Sequence, residues 1–276
     1  MKIETEQHSH PVARNTHEKY ITISIDDGHP SDLRTVDLLT KYGLQATFYI
    51  PGSNAEREVM STAQIRQIDR QFEVGSHTLH HVRLHKLPEQ ECFREIVDGR
   101  KFSEDTVGHE VVSFCYPGGK FNRRVARLVE QAGFLAARTC RYFLNDYPSD
   151  PFTWDISTYA NTYPAYVQLR HCLLEYNFAG AYEYLTTFRS TVPWVAQFVC
   201  ALDDVSRNGG IAHLYFHSWE IDDNGDWDEL ENVFKMIRQY PVTPVTNGFL
   251  YQRWHGKCKP ANERPDQDRL AMKCKV

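Results

Sequence analysis

The stretch Tyr20-Ile21-Thr22-Ile23-Ser24-Ile25-Asp26-Asp27-Gly28 decides how the rest of this chain is read. Its first six residues are aromatic or β-branched at all but one position, the composition of a strand. The run then stops at two aspartates and a glycine. In a strand, neighbouring side chains point to opposite faces, so adjacent aspartates serve one site only where the chain turns. Gly28 permits that turn. Asp-Gly alone is most simply a hairpin turn. Here, however, Ser31 can cap a helix running through Asp37-Leu38-Leu39 to Tyr42, with Gly43 closing it. A strand that hands over to a helix opens a β/α unit.

Working outward, the same alternation recurs about seven times with short loops. Strands are expected at 46–50, 72–76, 111–116, 134–139, 211–217 and 241–245, and helices at 61–70, 88–102, 122–131 and 227–239. That pattern implies a parallel sheet, open or closed into a barrel. Residues 140–210 break the rhythm with a loop rich in Tyr, Pro, Asn and Asp, followed by apolar helical stretches at 171–176 and 195–205. They read as a helical insertion, because the β/α pattern resumes at Ile211. The domain reading is therefore an N-terminal extension (1–19), one barrel with its insertion (20–255) and a polar tail (256–276).

Composition narrows the function classes. A net charge of −5 without a long basic run argues against nucleic acid as a partner. No stretch approaches the roughly 18 apolar residues that cross a bilayer, and the seven cysteines form no C-x-x-C pair. The expectation is a soluble cytoplasmic protein with reduced thiols.

Four features carry chemistry. Asp26 and Asp27 can divide labour, one on a metal and one free as a base. His77 and His81 are four apart, so one helical turn would place both imidazoles on the same side. With one aspartate they would make a three-ligand site for zinc or a similar divalent ion, leaving positions open. His80, His109, His171 and His255 read as solvated surface. Pro117-Gly118-Gly119 ends a strand and exposes backbone N–H groups suited to an oxyanion, though alone it is an ordinary turn. Period two puts His213, Tyr215, His217 and Trp219 on one face, His213 as a buried structural group and His217 at the strand end where a catalytic acid would sit. All four features fall at the C-terminal ends of expected parallel strands, where barrel active sites assemble. The acidic run 222–226 is read as a helix start, Asp226 with Glu229 forming a capping box, and not as a calcium loop.

At this point the sequence resembles the polysaccharide deacetylases, the NodB-homology carbohydrate esterases. Ser24-Ile25-Asp26-Asp27-Gly28 is similar to their first motif, T-F-D-D-G. His77-Thr78-Leu79-His80-His81 is similar to the second, H-[ST]-x-x-H. Phe114-Cys115-Tyr116-Pro117-Gly118-Gly119 is similar to the third, and Leu214-Tyr215-Phe216-His217 to the fifth, L-x-x-H. The resemblance implies a distorted (β/α)7 barrel and hydrolysis of an N-acetyl group on an amino sugar or glycan. It implies Asp27, His77 and His81 as ligands of a divalent ion (zinc first, cobalt or nickel as alternatives). It also implies Asp26 as general base, the Gly118 N–H in the oxyanion site and His217 as the acid that protonates the departing amine. The family's third-motif arginine is replaced by Cys115, and Arg138, at the end of the 134–139 strand, is expected to supply the guanidinium from another direction. Trp154-Asp155 is the nearest candidate for the fourth motif, the Asp/Trp element that tunes the acidic histidine. Exposed Trp194 and Trp219 could stack on sugar rings. Two alternatives stay open: a deformylase or amidohydrolase of another small N-acyl compound, or an inactive carbohydrate-binding relative.

Overall fold

The computed structural model describes residues 18–258; most of the extension and tail expected from sequence lies outside them. The chain runs β1 (Lys19–Asp26), α1 (Asp32–Tyr42), β2 (Thr47–Ile50), α2 (Thr62–Asp69), β3 (Glu73–Ser76), α3 (Glu89–Val107), β4 (Ser113–Cys115), α4 (Arg123–Gln131) and β5 (Ala136–Arg138). It continues through β6 (Thr158–Tyr159), α5 (Ala165–Leu174), α6 (Phe178–Leu185), α7 (Trp194–Asn208), β7 (Gly210–Phe216), α8 (Ser218–Asn224), α9 (Trp227–Ile237), β8 (Thr243–Pro244) and α10 (Asn247–Cys258).

All strand pairs are parallel, in the order β5-β4-β3-β2-β1-β7-β6. The sheet curls into a distorted (β/α)7 half-barrel, as expected. β1 is its centre: Ser24–Asp26 pair with β2, while Tyr20 and Ile21 pair with β8. Six consecutive residues of β1 are buried, as a strand covered on both faces requires. β5 and β6 are not laddered together. A single bridge, Arg138 to Trp154, and the Thr139 N–H donating to Trp154 O at 2.8 Å join that side instead.

Helix starts follow local chemistry. The Ser61 hydroxyl accepts from the Gln64 N–H while the Gln64 side chain accepts from the Ser61 N–H, the capping box that fixes the start of α2. Asn122 caps α4 the same way through the Val125 N–H at 3.0 Å. Two expected caps fail. Ser31 is already helical, and its hydroxyl bonds His29 Nδ1 at 2.8 Å. Asp226 precedes α9 but makes no capping bond, because Glu229 instead accepts from the Trp194 indole at 3.2 Å. That bond lies at the surface of a core residue: Trp194 is buried, not displayed to a sugar.

The 140–210 segment is more than an insertion of helices. It contributes β6 to the sheet, and α7 packs on β7, β1 and β6 as a barrel helix does. Two residues of strand give too short a pattern to read in advance. The elements that stand outside the β/α alternation are α5 and α6, which pack on each other. No helix of the described residues is long and apolar enough to cross a membrane, and the five described cysteines are free.

Candidate active site

The C-terminal ends of β1, β3, β4, β5 and β7 converge. Asp26 is the last residue of β1. Asp27 then takes a left-handed backbone, φ 77°, which swings the second carboxylate to the same side as the first. Gly28 continues the turn at φ 62°, and a Cβ there would lie 2.6 Å from Ile50 Cγ2, so only glycine fits.

His77 follows β3 directly. The segment to His81 is not the helical turn expected from its spacing. It is an irregular loop in which Thr78 and His81 are left-handed, φ 69° and 52°. α3 holds it there: the Leu79 N–H donates to Glu95 O at 3.2 Å, and Gly99 lies so close that a Cβ would meet the Thr78 carbonyl carbon at 2.5 Å. Left-handed backbone at non-glycine residues costs about 1–3 kcal/mol each and persists only where the surroundings enforce it. Three such residues, Asp27, Thr78 and His81, surround this one site. The result still brings the two rings together, 4.9 Å apart between centroids.

One ligand atom each from Asp27, His77 and His81 lies within 4.8 Å of the others. Asp27 Oδ2 accepts from the Trp219 indole at 3.0 Å. Oδ1 is buried with no hydrogen bond and lies 3.1 Å from His81 Nε2 and 3.7 Å from His77 Nε2. Burial would raise the Asp27 carboxyl, but the His81, His217 and His77 side chains outweigh it and hold it well below the usual carboxylate range. His77 Nδ1 faces Cys115 O at 2.9 Å; a carbonyl only accepts, so Nδ1 carries the proton and the Nε2 lone pair points at Asp27. Burial pushes His77 down to about 4, so it stays neutral at neutral pH, as a ligand must. An orphaned buried carboxylate oxygen facing two histidine nitrogens fits a divalent cation. The overlapping group Asp26, His77 and Cys115 does not. Its carboxylate is engaged by an arginine, and burial holds its thiol protonated.

That arginine is Arg138. It is fully buried at the end of β5, in register opposite Cys115 on β4, and Nη2 donates to Asp26 Oδ1. Tyr215 lies under its guanidinium at 4.2 Å. The Cys115 thiol donates weakly to Asp26 Oδ2 at 3.4 Å.

His217 stands at the end of β7. Its Nδ1 donates to Glu220 Oε2 at 2.8 Å, its Nε2 is 3.0 Å from the Tyr215 hydroxyl, and Nε2 lies 3.8 Å from Asp27 Oδ2. Burial would lower its pKa, but the Glu220 hydrogen bond and the Asp27 charge raise it above the ordinary histidine value. Tyr159 also donates to Glu220 Oε2. Trp154-Asp155 is therefore not the tuning element: Trp154 is core, and Asp155 is held by Arg141 at 2.7 Å. Sequence reading missed Glu220 because period two was carried past the end of the strand. α8 starts at Ser218, and helical spacing from His217 would have pointed three residues on. Trp219, for the same reason, lies on α8 and not on the strand face.

A cleft of about 630 Å³, in the size range of small-molecule sites, opens here, and Asp26 is buried behind it without lining it. Asp27, His77, His81, Gly118, His217 and Trp219 form its floor and sides. Gly118 reaches it in left-handed backbone, φ 61°. Tyr142, Tyr159, Tyr163 and His171 form an aromatic wall, so His171, stacked on Tyr142 at 4.6 Å, is no solvated surface residue. His80 is on the surface, paired with Glu95. His213 is buried and bonded to Ser24 Oγ at 2.8 Å.

Residues 13–137 match a family model described as Polysaccharide deacetylase. Over that stretch, less than half of its length, the chain is similar to the polysaccharide deacetylases. Over 140 residues it is 31% identical to a peptidoglycan-N-acetylglucosamine deacetylase of Bacillus cereus, an alignment covering 50% of this chain and 61% of that protein. The fold is that of a family 4 acetyl xylan esterase from Clostridium thermocellum solved with a cobalt ion (TM-score 0.55, 16% identity, 85% of this chain and 91% of the other). It is also that of the Xyl-CE4 domain of a multidomain xylanase from the hindgut metagenome of Trinervitermes trinervoides (TM-score 0.54, 16% identity, 86% and 92%). Arg138, Tyr159, His217 and Glu220 lie beyond the residues that the family model matches.

Proposed function

We propose that this chain is a metal-dependent hydrolase that removes the N-acetyl group from an amino sugar or glycan. The observation that carries the reading is an orphaned Asp27 oxygen between His77 and His81 and a carboxylate-backed His217 on one cleft, with an arginine-held Asp26 buried directly behind His77. The similarity of residues 13–137 to the polysaccharide deacetylases supports it.

Asp27, His77 and His81 would hold a divalent ion, which when bound polarises the acetamide carbonyl and lowers the pKa of water beside it. Two imidazoles and one carboxylate suit zinc, with cobalt or nickel as substitutes. Asp26 Oδ1 is occupied by Arg138, so Oδ2 takes a proton from the attacking water. As the water oxygen bonds to the acyl carbon, the Gly118 N–H donates to the carbonyl oxygen, which is gaining negative charge. His217 Nε2 then gives its proton to the amide nitrogen as the C–N bond breaks, leaving acetate and a free amine. Glu220 keeps His217 protonated for that step and fixes its ring. The aromatic wall suits the apolar face of a sugar ring. By narrowing the cleft it favours a single sugar or chain end over the middle of a long polymer. The free, scattered cysteines favour a reducing compartment.

The test is acetate release from mono- and oligomeric N-acetyl amino sugars, with metal content measured on the same samples. Wild type should release acetate only with metal bound. Asp26→Asn should keep the metal and lose about 10³-fold in kcat. Full turnover by Asp26→Asn would refute the base, and formate or another acid released in place of acetate would shift the reading to the small N-acyl alternative.

Glu220→Gln gives a second check. Without the carboxylate His217 loses its proton more readily, so the high-pH limb of kcat/KM should move to lower pH. An unmoved limb would show that His217 is not the acid or that Glu220 does not tune it.

A further inference from the structure

Of the nine large hydrophobic side chains exposed among the described residues, seven fall between 166 and 185. Tyr166, Leu173 and Leu174 lie on α5, with Tyr166 and Leu173 seven apart. Phe178, Tyr182 and Leu185 follow at four and seven on α6, and Tyr176 sits between the helices. Each helix thus turns one stripe outward at helical spacing. The inner faces are fixed. Asn177 accepts from the Gly180 N–H and donates to Tyr142 O, both at 2.9 Å, and Phe143 packs on Tyr184 and Phe188. The outer stripe is therefore a built surface and not a loose turn.

We propose that the outer face of the α5–α6 hairpin is the interface of a homodimer of this chain. The seven residues are 55–80% exposed and together offer on the order of 800 Å², the area one partner contributes to a standard stable interface. A patch of this size is more than scattered surface apolarity explains. Charge selects among occupants. Helices that lie on bilayers carry lysine and arginine beside their apolar face, whereas residues 165–185 hold one arginine and two glutamates in a chain of net charge −5. The chain's own remaining segments, 1–17 and 259–276, contain too few large apolar residues to cover it.

The experiment is sedimentation equilibrium of the full chain from roughly 1 µM to 1 mM, beside Leu174→Arg/Tyr182→Glu and, independently, Leu173→Lys. Wild type should be a dimer, and the variants should dissociate at least about 100-fold more readily with unchanged circular dichroism and Tm. Should one variant misfold, the other decides. Wild type monomeric throughout, or folded variants as dimeric as wild type, overturns the proposal. Binding of monomeric wild type to phosphatidylcholine/phosphatidylglycerol vesicles would overturn it in favour of a membrane surface.

Discussion

Replacing His77 with alanine is expected to abolish binding of the proposed divalent ion and to lower kcat/KM by about three orders of magnitude or more. His77 is 1% exposed, and its Nδ1 is tied to the Cys115 carbonyl, so its Nε2 cannot be replaced by rotation of a neighbour. Two ligands would remain, Asp27 and His81, which is fewer than catalytic zinc sites use. The measurement is metal content by mass spectrometry together with turnover. His80→Ala is the control: its ring is exposed and bonded to Glu95, outside the ligand group, so metal content and turnover should stay near wild type. A His77→Ala protein that keeps a full equivalent of metal would refute the ligand set.

Arg138→Ala should be nearly as damaging, for a different reason. Its guanidinium is the charge partner of Asp26, and both are buried. Removing one member of a buried ion pair leaves the other uncompensated, at a cost of about 3–5 kcal/mol. For a chain of this length that lowers Tm by about 10 °C. Arg138 does not line the cleft, so KM should change little while kcat falls about 10²–10³-fold, because Asp26 is no longer held at the angle its Oδ2 needs. Arg138→Lys keeps the charge without the planar fork and should recover much of the Tm but little of the kcat. A folded Arg138→Ala with undiminished kcat would refute the positioning role.

The sheet and the four strand-end features were legible because each depends on local pattern: an apolar run, a glycine or proline stop, a side chain at the last residue. Arg138 was legible through a gap, since Cys115 left a buried aspartate needing a cation and the next strand ended in one. What failed was conformation that tertiary packing imposes. His77 to His81 has helical spacing, but α3 presses Gly99 against Thr78 and forces two left-handed residues into the loop. The handover from β7 to α8 put Glu220 under His217 where strand periodicity placed nothing. β6 is two residues long and is held by β7, not by its own composition. Of the hairpin α5–α6 only an apolar helical stretch at 171–176 was expected, and its exposed stripe was not, because sequence alone does not say which apolar face meets the barrel.

Arg138 and Cys115 face each other across one rung of the sheet. An exchange across a rung preserves a charge in space while erasing it from its column in an alignment. Read by motif alone, this chain lacks the third-motif arginine that its resemblance implies. Read by rung, a guanidinium still reaches Asp26, from the residue opposite Cys115 on the next strand.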